Sequence, residues 1–243
     1  MNYSYQDALA YFGIEGAHPG SLGLTKVLLE NETITSASRI LDAGCGTGQT
    51  SSYLSSRYPC KIYAVDSHPG MIEKARIRFA NENSRVKIYK AEMERLPFKP
   101  ESFDLILAES STAFSQIDRT LPEFYRVMKK DGVLITIDMS AEPSLSEQAK
   151  SEIQKFYGVH AVLTESEWMQ AFRQAGFTHI EVLKAATIMD EFENYTPPQE
   201  PSVPAFSPPP YNSEASGVMQ LHYQLSAEYG NSLGYRVFRV SGK

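Results

Sequence analysis

The chain has 243 residues, of which 42% are apolar and 21% charged, and its formal net charge at pH 7 is −6. These proportions are typical of a soluble globular protein with one substantial core. Because its longest basic clusters are as short as Lys129–Lys130, the composition argues against nucleic acid as a main partner, which would require a basic face.

The first part of the chain predicts two short helices, 5–12 and 22–29, separated by the glycine-containing stretch "GIEGAHPGS". From residue 39 onward, short apolar strands alternate with helices. The predicted strands span 40–43, 61–65, 86–89, 103–108 and 132–138, and the predicted helices span 49–57, 70–80 and 121–129. This alternation indicates the α/β class, with a doubly wound, mostly parallel sheet and helices on both faces.

The second half of the chain is less regular. Helices are predicted over 146–157 and 165–175, the second with Thr164 as N-cap and Glu167 completing a capping box, and a strand over 177–183. Seven prolines between residues 196 and 210 exclude a regular helix or a central strand and predict an extended surface connection. The alternatives are a lid over the site or a PxxP ligand. The closing strand is "GYRVFRV", after a helix face marked by Val218, Leu221, His222, Leu225 and Tyr229.

Cysteine content and targeting signals indicate the compartment. Neither Cys45 nor Cys60 belongs to a CxxC pair, so the sequence favours a reduced protein over a disulfide scaffold or a zinc ribbon. We expect a cytoplasmic protein without membrane association, because the chain has no signal-peptide pattern and no apolar run approaching roughly 20 residues. No HExxH or paired acid motif occurs, so we expect no metal.

The stretch "ILDAGCGTGQTSSYL" places a glycine turn, residues 42–48, at the carboxyl end of the first predicted strand. Open parallel sheets bind their ligands at this end of the strands. A dinucleotide fingerprint would require glycine in place of Gln49, and a P-loop would require Gly-Lys-Ser/Thr. Residues 40–56 contain no lysine or arginine to balance a triphosphate. The turn therefore predicts a nucleoside without phosphates, bound through backbone N–H groups that favour a carboxylate.

Two acidic residues follow neighbouring strands. Asp66 stands twenty residues beyond Gly46, where its carboxylate can accept both hydroxyls of an adenosyl ribose; the alternative is that Asp66 or Ser67 caps the next helix. Glu92 can accept from an adenine amino group. Met71 and Met93 can pack on the faces of the base, the alternative being that they fill the core.

In this order, "ILDAGCGTG", Asp66, "AEMERLPF", "FDLILAES" and "EFYRVMKKDGVLITID" resemble successive motifs of the class I S-adenosylmethionine-dependent methyltransferases, over residues 38–140. The resemblance implies a Rossmann-like seven-stranded sheet whose last strand is antiparallel, S-adenosyl-L-methionine as cofactor, and methyl transfer as activity. It also implies one methyltransferase domain, 1–243. The core would be about 38–140, 177–185 and 233–243, and a cap would comprise helices 1–36 and segments 141–176 and 186–230.

The same resemblance assigns the cofactor-binding residues. The glycine turn would line the methionine part, Asp66 would hold the ribose, Ser67 would flank the adenine, and residues 108–110 would lie beside the sulfonium and the amine. The cofactor-binding residues expected in this way are Asp42, Gly44, Cys45, Gly46, Asp66, Ser67, Met71, Glu92, Met93 and Ala108.

Three residues are candidates for catalysis: Glu109, His18 and Tyr11. Glu109 follows the fourth strand, and its alternative role is to contact the ammonium group of the ligand. His18, Tyr11 and Tyr5 belong to the N-terminal segment, which in such enzymes often folds over the cofactor. The alternative for His18 is a structural role. Three other histidines lack partner spacing, so we expect them only to pack or to lie on the surface: His160, His179 and His222.

The acceptor is expected to be a small molecule. The predicted cap is rich in aromatic residues, and an aromatic cap on an acidic protein suits a cationic or ring-bearing compound; these residues are Phe156, Tyr157, Trp168, Phe172, Phe192, Tyr195, Phe206 and Tyr211. Two alternatives to methyl transfer remain open at this point. One is an NAD-dependent oxidoreductase, which Gln49 and "AEMERLPF" disfavour, and the other is a regulatory or scaffold protein that binds S-adenosylmethionine without transferring its methyl group.

Overall fold

The computed structural model describes residues 3–194 and 206–243, so Tyr195 and much of the proline-rich segment lie outside the described residues. The helices are α1 (Tyr5–Phe12), α2 (Ser21–Glu30), α3 (Gln49–Arg57), α4 (Pro69–Asn81), α5 (Ile117–Val127), α6 (Glu147–Tyr157), α7 (Glu165–Gln174), α8 (Ile188–Glu193) and α9 (Ser213–Tyr229). The strands are β1 (Arg39–Ala43), β2 (Lys61–Asp66), β3 (Lys87–Lys90), β4 (Phe103–Glu109), β5 (Met128–Ala141), β6 (His179–Thr187) and β7 (Leu233–Ser241). Across these two ranges, no helix is both long and apolar enough to cross a membrane.

The seven strands form one sheet in the order β3-β2-β1-β4-β5-β7-β6. The pairs among β1 to β5 are parallel, whereas β7 runs antiparallel between β5 and β6. This confirms the predicted α/β fold, a seven-stranded sheet with the last strand antiparallel. The strand order reverses between β1 and β4, which is the switch point where open sheets of this kind bind ligands beyond the carboxyl ends of the strands.

Both faces of the sheet are buried, and β1 shows why. Successive side chains of a strand point to opposite faces, so Ile40 and Leu41 pack into different apolar clusters, and both are fully buried. Central strands of a parallel sheet covered on both faces read as continuous apolar runs. This is the pattern from which the strands were predicted.

Helix boundaries agree with the sequence where local capping decides them. Thr164 caps α7, with the predicted capping box to Glu167. The alternative role for Asp66 or Ser67, as the cap of α4, is wrong, because His68 is the N-cap and its Nδ1 accepts from the backbone N–H of Met71.

Five elements differ from the sequence prediction. Strand β5 extends beyond the predicted 132–138 at both ends, and β6 ends four residues after the predicted 177–183. Helix α5 begins and ends earlier than the predicted 121–129, because β5 already starts at Met128, which pairs with Phe103 of β4. A 3-10 turn over Thr112–Phe114 and the short helix α8 were not predicted. Both of these are short segments near the strand ends that line the cavity described below.

Helix α7 belongs to the core rather than to a cap. Trp168 and Phe172 are fully buried, and their rings pack against Phe238 of β7 with centroids 6.4 and 5.2 Å away. The indole Nε1 of Trp168 donates to the carbonyl of Met139 in β5 at 2.9 Å. The assignment of these two aromatic residues to the cap is therefore wrong. Helices α1, α6 and α9 instead contact one another, and we call these three helices the helical cap.

Candidate active site

One large cavity, of about 640 Å³, opens beyond the carboxyl ends of β1, β2 and β4. Its walls include the glycine turn after β1, the segment between α1 and α2, and the facing residues of the helical cap. A cavity of this size is in the range of pockets that bind small molecules and cofactors.

The glycine turn requires its glycines for two different reasons. Gly44 has φ +76°, and a Cβ on it would lie 2.2 Å from Cβ of Ser111, so there is no room for a side chain. Gly46 has φ +53°, but a Cβ there would meet only the sulfur of Met71 at 4.0 Å, so its Cα faces open cavity. Positive φ and close approach of the backbone to a ligand are the two conditions that favour glycine.

The amino end of α3 is available to an anionic group. Its N-cap is Gly48, which has no side chain, and no side chain caps the helix. The first N–H groups of a helix lack intrahelical partners and carry partial positive charge, so they favour a carboxylate. No lysine or arginine stands in this turn, which suits a carboxylate better than a triphosphate.

Asp66 is fixed by the turn that it follows. Its Oδ2 accepts from the backbone N–H of Gly46 and its Oδ1 from that of His68, both at 2.8 Å. Burial raises the pKa of Asp66, while these two backbone hydrogen bonds oppose the shift. A carboxylate has about four acceptor sites, so two remain for ligand hydroxyls on the cavity side.

Glu109 lies at the carboxyl end of β4, at the junction of three segments. Its Oε1 accepts from the hydroxyl of Thr25 in α2 and its Oε2 from that of Thr50 in α3, both at 2.6 Å. His18 Nε2 is 3.7 Å from Oε2, is buried, and has no hydrogen-bond partner within the described residues. A buried polar nitrogen without a partner, on the wall of a cavity, fits a site completed by a ligand.

Asp42 lies next to Glu109 and is fully buried. Burial, reinforced by the negative charge of Glu109, raises the pKa of Asp42 to about 7. The hydroxyl of Ser51 donates to its Oδ2 at 2.6 Å, which opposes the shift. This end of the cavity therefore has a strongly negative potential when both carboxylates are ionised.

Except for two, the site residues expected from the sequence line this cavity; those that line it are His18, Asp42, Gly44, Cys45, Gly46, Asp66, Ser67, Met71, Glu92, Met93 and Glu109. Tyr11 does not line it, and its hydroxyl donates to the carbonyl of Pro210 at 2.8 Å. Ala108 is fully buried in the core, one residue before Glu109.

A second part of the cavity is aromatic. The ring of Tyr5 lies 4.8 Å from that of Tyr157, 5.2 Å from that of His222 and 6.4 Å from that of Phe114. We call these four residues the aromatic wall. The hydroxyl of Tyr157 is 2.9 Å from Nδ1 of His222. Burial raises the pKa of Tyr157 to about 12 and lowers that of His222, so both side chains are uncharged near pH 7.

Sequence reasoning missed two histidines. The expectation that His222 only packs or lies on the surface is wrong, because it lines the cavity and pairs with Tyr157, 65 positions away in the chain. His68 also lines the cavity, and its Nε2 is 3.0 Å from Oδ1 of Asp7 in α1. No spacing within the sequence signals either pairing, since each joins segments that only the fold brings together.

Comparison with known proteins agrees with this geometry. A family model described as a methyltransferase domain matches residues 40–132. An uncharacterized methyltransferase, YodH of Bacillus subtilis, is 38% identical over 235 residues, which cover 96% of this chain and 97% of the relative. A malonyl-[acyl-carrier protein] O-methyltransferase of Geobacter sulfurreducens is 32% identical over 178 residues, covering 69% of this chain and 62% of that protein.

Solved structures show the same fold. Phosphoethanolamine N-methyltransferase 2 of Haemonchus contortus, in complex with S-adenosyl-L-methionine, superposes with a TM-score of 0.77 at 20% identity, covering all of this chain and 58% of the other. A geranyl diphosphate methyltransferase in complex with the same cofactor gives a TM-score of 0.68 at 14% identity, covering 92% of this chain and 86% of the other.

The cavity also fits the cofactor: Gly46 leaves space, Asp66 keeps free acceptor sites, and the amino end of α3 is uncapped. With a methyltransferase relative 38% identical over nearly the full length, the chain belongs to the class I S-adenosylmethionine-dependent methyltransferases, and S-adenosyl-L-methionine is its cofactor.

Proposed function

We propose that this enzyme transfers the methyl group of S-adenosylmethionine to an oxygen, nitrogen or carbon atom of a small molecule, which binds against the aromatic wall. The observation that carries the proposal is that one cavity contains both the glycine turn and the aromatic wall. Two compounds bound at these two ends would share one cavity, as a direct transfer requires.

Within this proposal, each end of the cofactor has its own residues. Asp66 accepts the ribose hydroxyls with the acceptor sites that Gly46 and His68 leave free. Glu92 accepts from the adenine amino group, and the two methionines at 71 and 93 pack on the base, helped by Ser67. The turn of Gly44, Cys45 and Gly46, next to Asp42, holds the methionine part.

We assign Glu109 to binding the cofactor's ammonium group rather than to proton transfer. Both of its oxygens already accept hydroxyl hydrogen bonds, from Thr25 in α2 and Thr50 in α3, so the charge is held in place between these two helices. His18 lies in the same corner with an unpartnered Nε2, which can donate to or accept from a bound ligand. Tyr11, bonded to Pro210, braces α1 against the segment that precedes α9.

The protein's contribution to the reaction is alignment and exclusion of water. The bound cofactor supplies a methyl group on a positively charged sulfur, which a nucleophile can displace in line. Holding two reactants in attack geometry can contribute roughly 7–11 kcal/mol toward lowering the barrier. The buried rings of Tyr5 and Tyr157 keep water from the site, which favours a step in which the positive charge localised on sulfur is dispersed.

A transfer screen with labelled methyl tests the proposal. The purified protein is incubated with methyl-labelled S-adenosylmethionine and panels of small amines, phenols and carboxylic acids, and label in the organic product is counted. We expect time-dependent labelling in at least one class, and loss of that labelling in the Asp66→Ala variant. Binding of S-adenosylmethionine with no transfer to any class would instead identify a binding protein without transferase activity.

A further inference from the structure

The cavity has an unbalanced charge. Six carboxylates line it: Asp42, Asp66, Glu92, Glu94, Glu109 and Glu191. Among the residues that the structure describes, no lysine or arginine lines it. Of the six, only Glu191 is ion-paired with a lysine or arginine in the described ranges, with Nζ of Lys184 at 2.7 Å from Oε1.

The sequence of residues 185–235 has a similar imbalance of charge. Between Lys184 and Arg236 lie fifty-one consecutive residues, 185–235, with no lysine or arginine. This stretch includes α8 and α9, so neither helix contributes a lysine or arginine to the site. The same stretch carries six carboxylates, and of those that the structure describes Glu191 alone lines the cavity; the six are Asp190, Glu191, Glu193, Glu200, Glu214 and Glu228.

The cofactor does not remove the excess. S-adenosylmethionine has two cationic groups and one carboxylate, so it brings one net positive charge. Asp42, with a pKa of about 7, is partly protonated near neutral pH and lowers the negative charge by a further fraction. Glu94 lines the cavity without a lysine or arginine partner among the residues described, and it has no part in binding the cofactor, so the space left for the acceptor stays negative.

A negative, partly buried site selects against anions. Bringing a phosphate or carboxylate beside unpaired carboxylates costs desolvation that no cation offsets. A cation gains from the same carboxylates and from the faces of nearby tyrosine rings. Tyr5, Tyr157 and Tyr223 supply such rings on the cavity wall.

We propose that the acceptor is an amine with an apolar or aromatic body and no phosphate or carboxylate group; this rests on the proposed function. The amine binds as a cation and loses one proton to solvent before reaction. Its nitrogen lone pair then forms the new bond to the methyl carbon while the carbon–sulfur bond breaks and its electron pair stays on sulfur. The product ammonium can lose a further proton to solvent.

Matched ligands test the proposal by binding alone. There are four sets of compounds, built on the phenethyl, indolylethyl, hexyl and ethyl frames. Within each set the frame is constant and the head group is an amine, an alcohol, a carboxylate or a phosphate ester. Each compound is titrated by calorimetry into the protein saturated with S-adenosylhomocysteine. We expect the amine to bind about tenfold or more tighter than the carboxylate and phosphate of its set, in at least one set, and tighter than the alcohol.

A charge substitution in the wall supplies the control. Met219 lines the cavity and is only partly buried, so Met219→Lys adds a cation of similar length and Met219→Gln is the matched neutral variant. We expect Met219→Lys, but not Met219→Gln, to reduce the amine preference by about tenfold.

The outcomes separate the inference from the proposed function. If in every set a carboxylate, phosphate or alcohol binds as well as its amine, the inference is overturned. An amine that binds preferentially but is never methylated supports the cavity's selectivity for amines and contradicts the proposed function. Methyl transfer to a carboxylic acid or a phosphate ester supports the proposed function and overturns the inference.

Discussion

Replacing Glu109 with glutamine should weaken binding of the cofactor product selectively at its amino-acid end. The substitution keeps the side-chain length and removes one negative charge from a buried position. S-adenosylhomocysteine carries the ammonium group that we assign to Glu109. 5′-Methylthioadenosine shares the adenosine and thioether but lacks the amino acid, so it reports any effect that is not specific to the ammonium.

The magnitude follows from the contacts of Glu109. A hydrogen bond to a charged partner contributes about 1.5–3 kcal/mol, so losing the charge at this contact corresponds to roughly a 10- to 150-fold weaker affinity for S-adenosylhomocysteine. The hydroxyls of Thr25 and Thr50 lose a charged acceptor in both the free and the bound protein, so this cost largely cancels in the binding free energy. We therefore expect affinity for methylthioadenosine to change less than about threefold.

Titration calorimetry of both ligands into the wild type and Glu109→Gln measures the difference directly. Asp66→Asn is the matched control, because both ligands carry the ribose and should weaken together. Equal losses for the two ligands in Glu109→Gln would show that Glu109 only braces Thr25 and Thr50. No loss for either ligand would refute the assignment altogether.

Three further predictions concern stability and the acceptor. Gly44→Ala should destabilise the fold by about 1–3 kcal/mol in urea, because its Cβ would meet Ser111 at positive φ, whereas Gly217→Ala in α9, with nothing within 4 Å, should be neutral or stabilising; equal effects would contradict the role of the turn. Burial raises the pKa of Asp138 to about 7 from 3.8, so the native state holds the extra proton, and the stability it provides is lost as pH rises through 7. Relative to Asp138→Asn, the wild type should therefore lose about 2–3 kcal/mol between pH 5 and pH 8, and parallel pH profiles would contradict this. His222→Gln should lower kcat/KM for the acceptor by about tenfold while leaving affinity for S-adenosylhomocysteine unchanged, and a matching loss of that affinity would place His222 elsewhere.

Most of the fold could be predicted because its signals are local. The predicted helix 49–57 coincides with α3, since a glycine turn starts it and a run of residues of helical spacing follows. The end of α5 could not be predicted in this way. Met128 reads as the continuation of a helix, but its pairing with Phe103 in the sheet determines its conformation, and that partner is distant in sequence.

The two halves of the site also differ in how far they could be predicted from the sequence. The half of the site that we assign to the cofactor could be predicted, because Gly44, Gly46 and Asp66 belong to recognisable motifs at the carboxyl ends of the neighbouring strands β1 and β2. The aromatic wall joins Tyr5, Tyr157 and His222 from three helices, and no sequence pattern brings them together. Aromatic content could not distinguish helices of the aromatic wall from helices of the hydrophobic core either, because both kinds carry an apolar face. The complete burial of Trp168 shows this.

Calorimetric titration of S-adenosylmethionine into the wild type and Asp66→Ala, with NAD as the comparison ligand, tests whether this cavity binds the cofactor through Asp66. The two ribose hydroxyls each contribute about 1.5–3 kcal/mol through a charged acceptor, so we expect one molecule bound per chain and at least about 100-fold weaker binding in the variant. NAD should produce no binding heat. Unchanged affinity in Asp66→Ala, or displacement of S-adenosylmethionine by NAD, would contradict the assignment of this cavity.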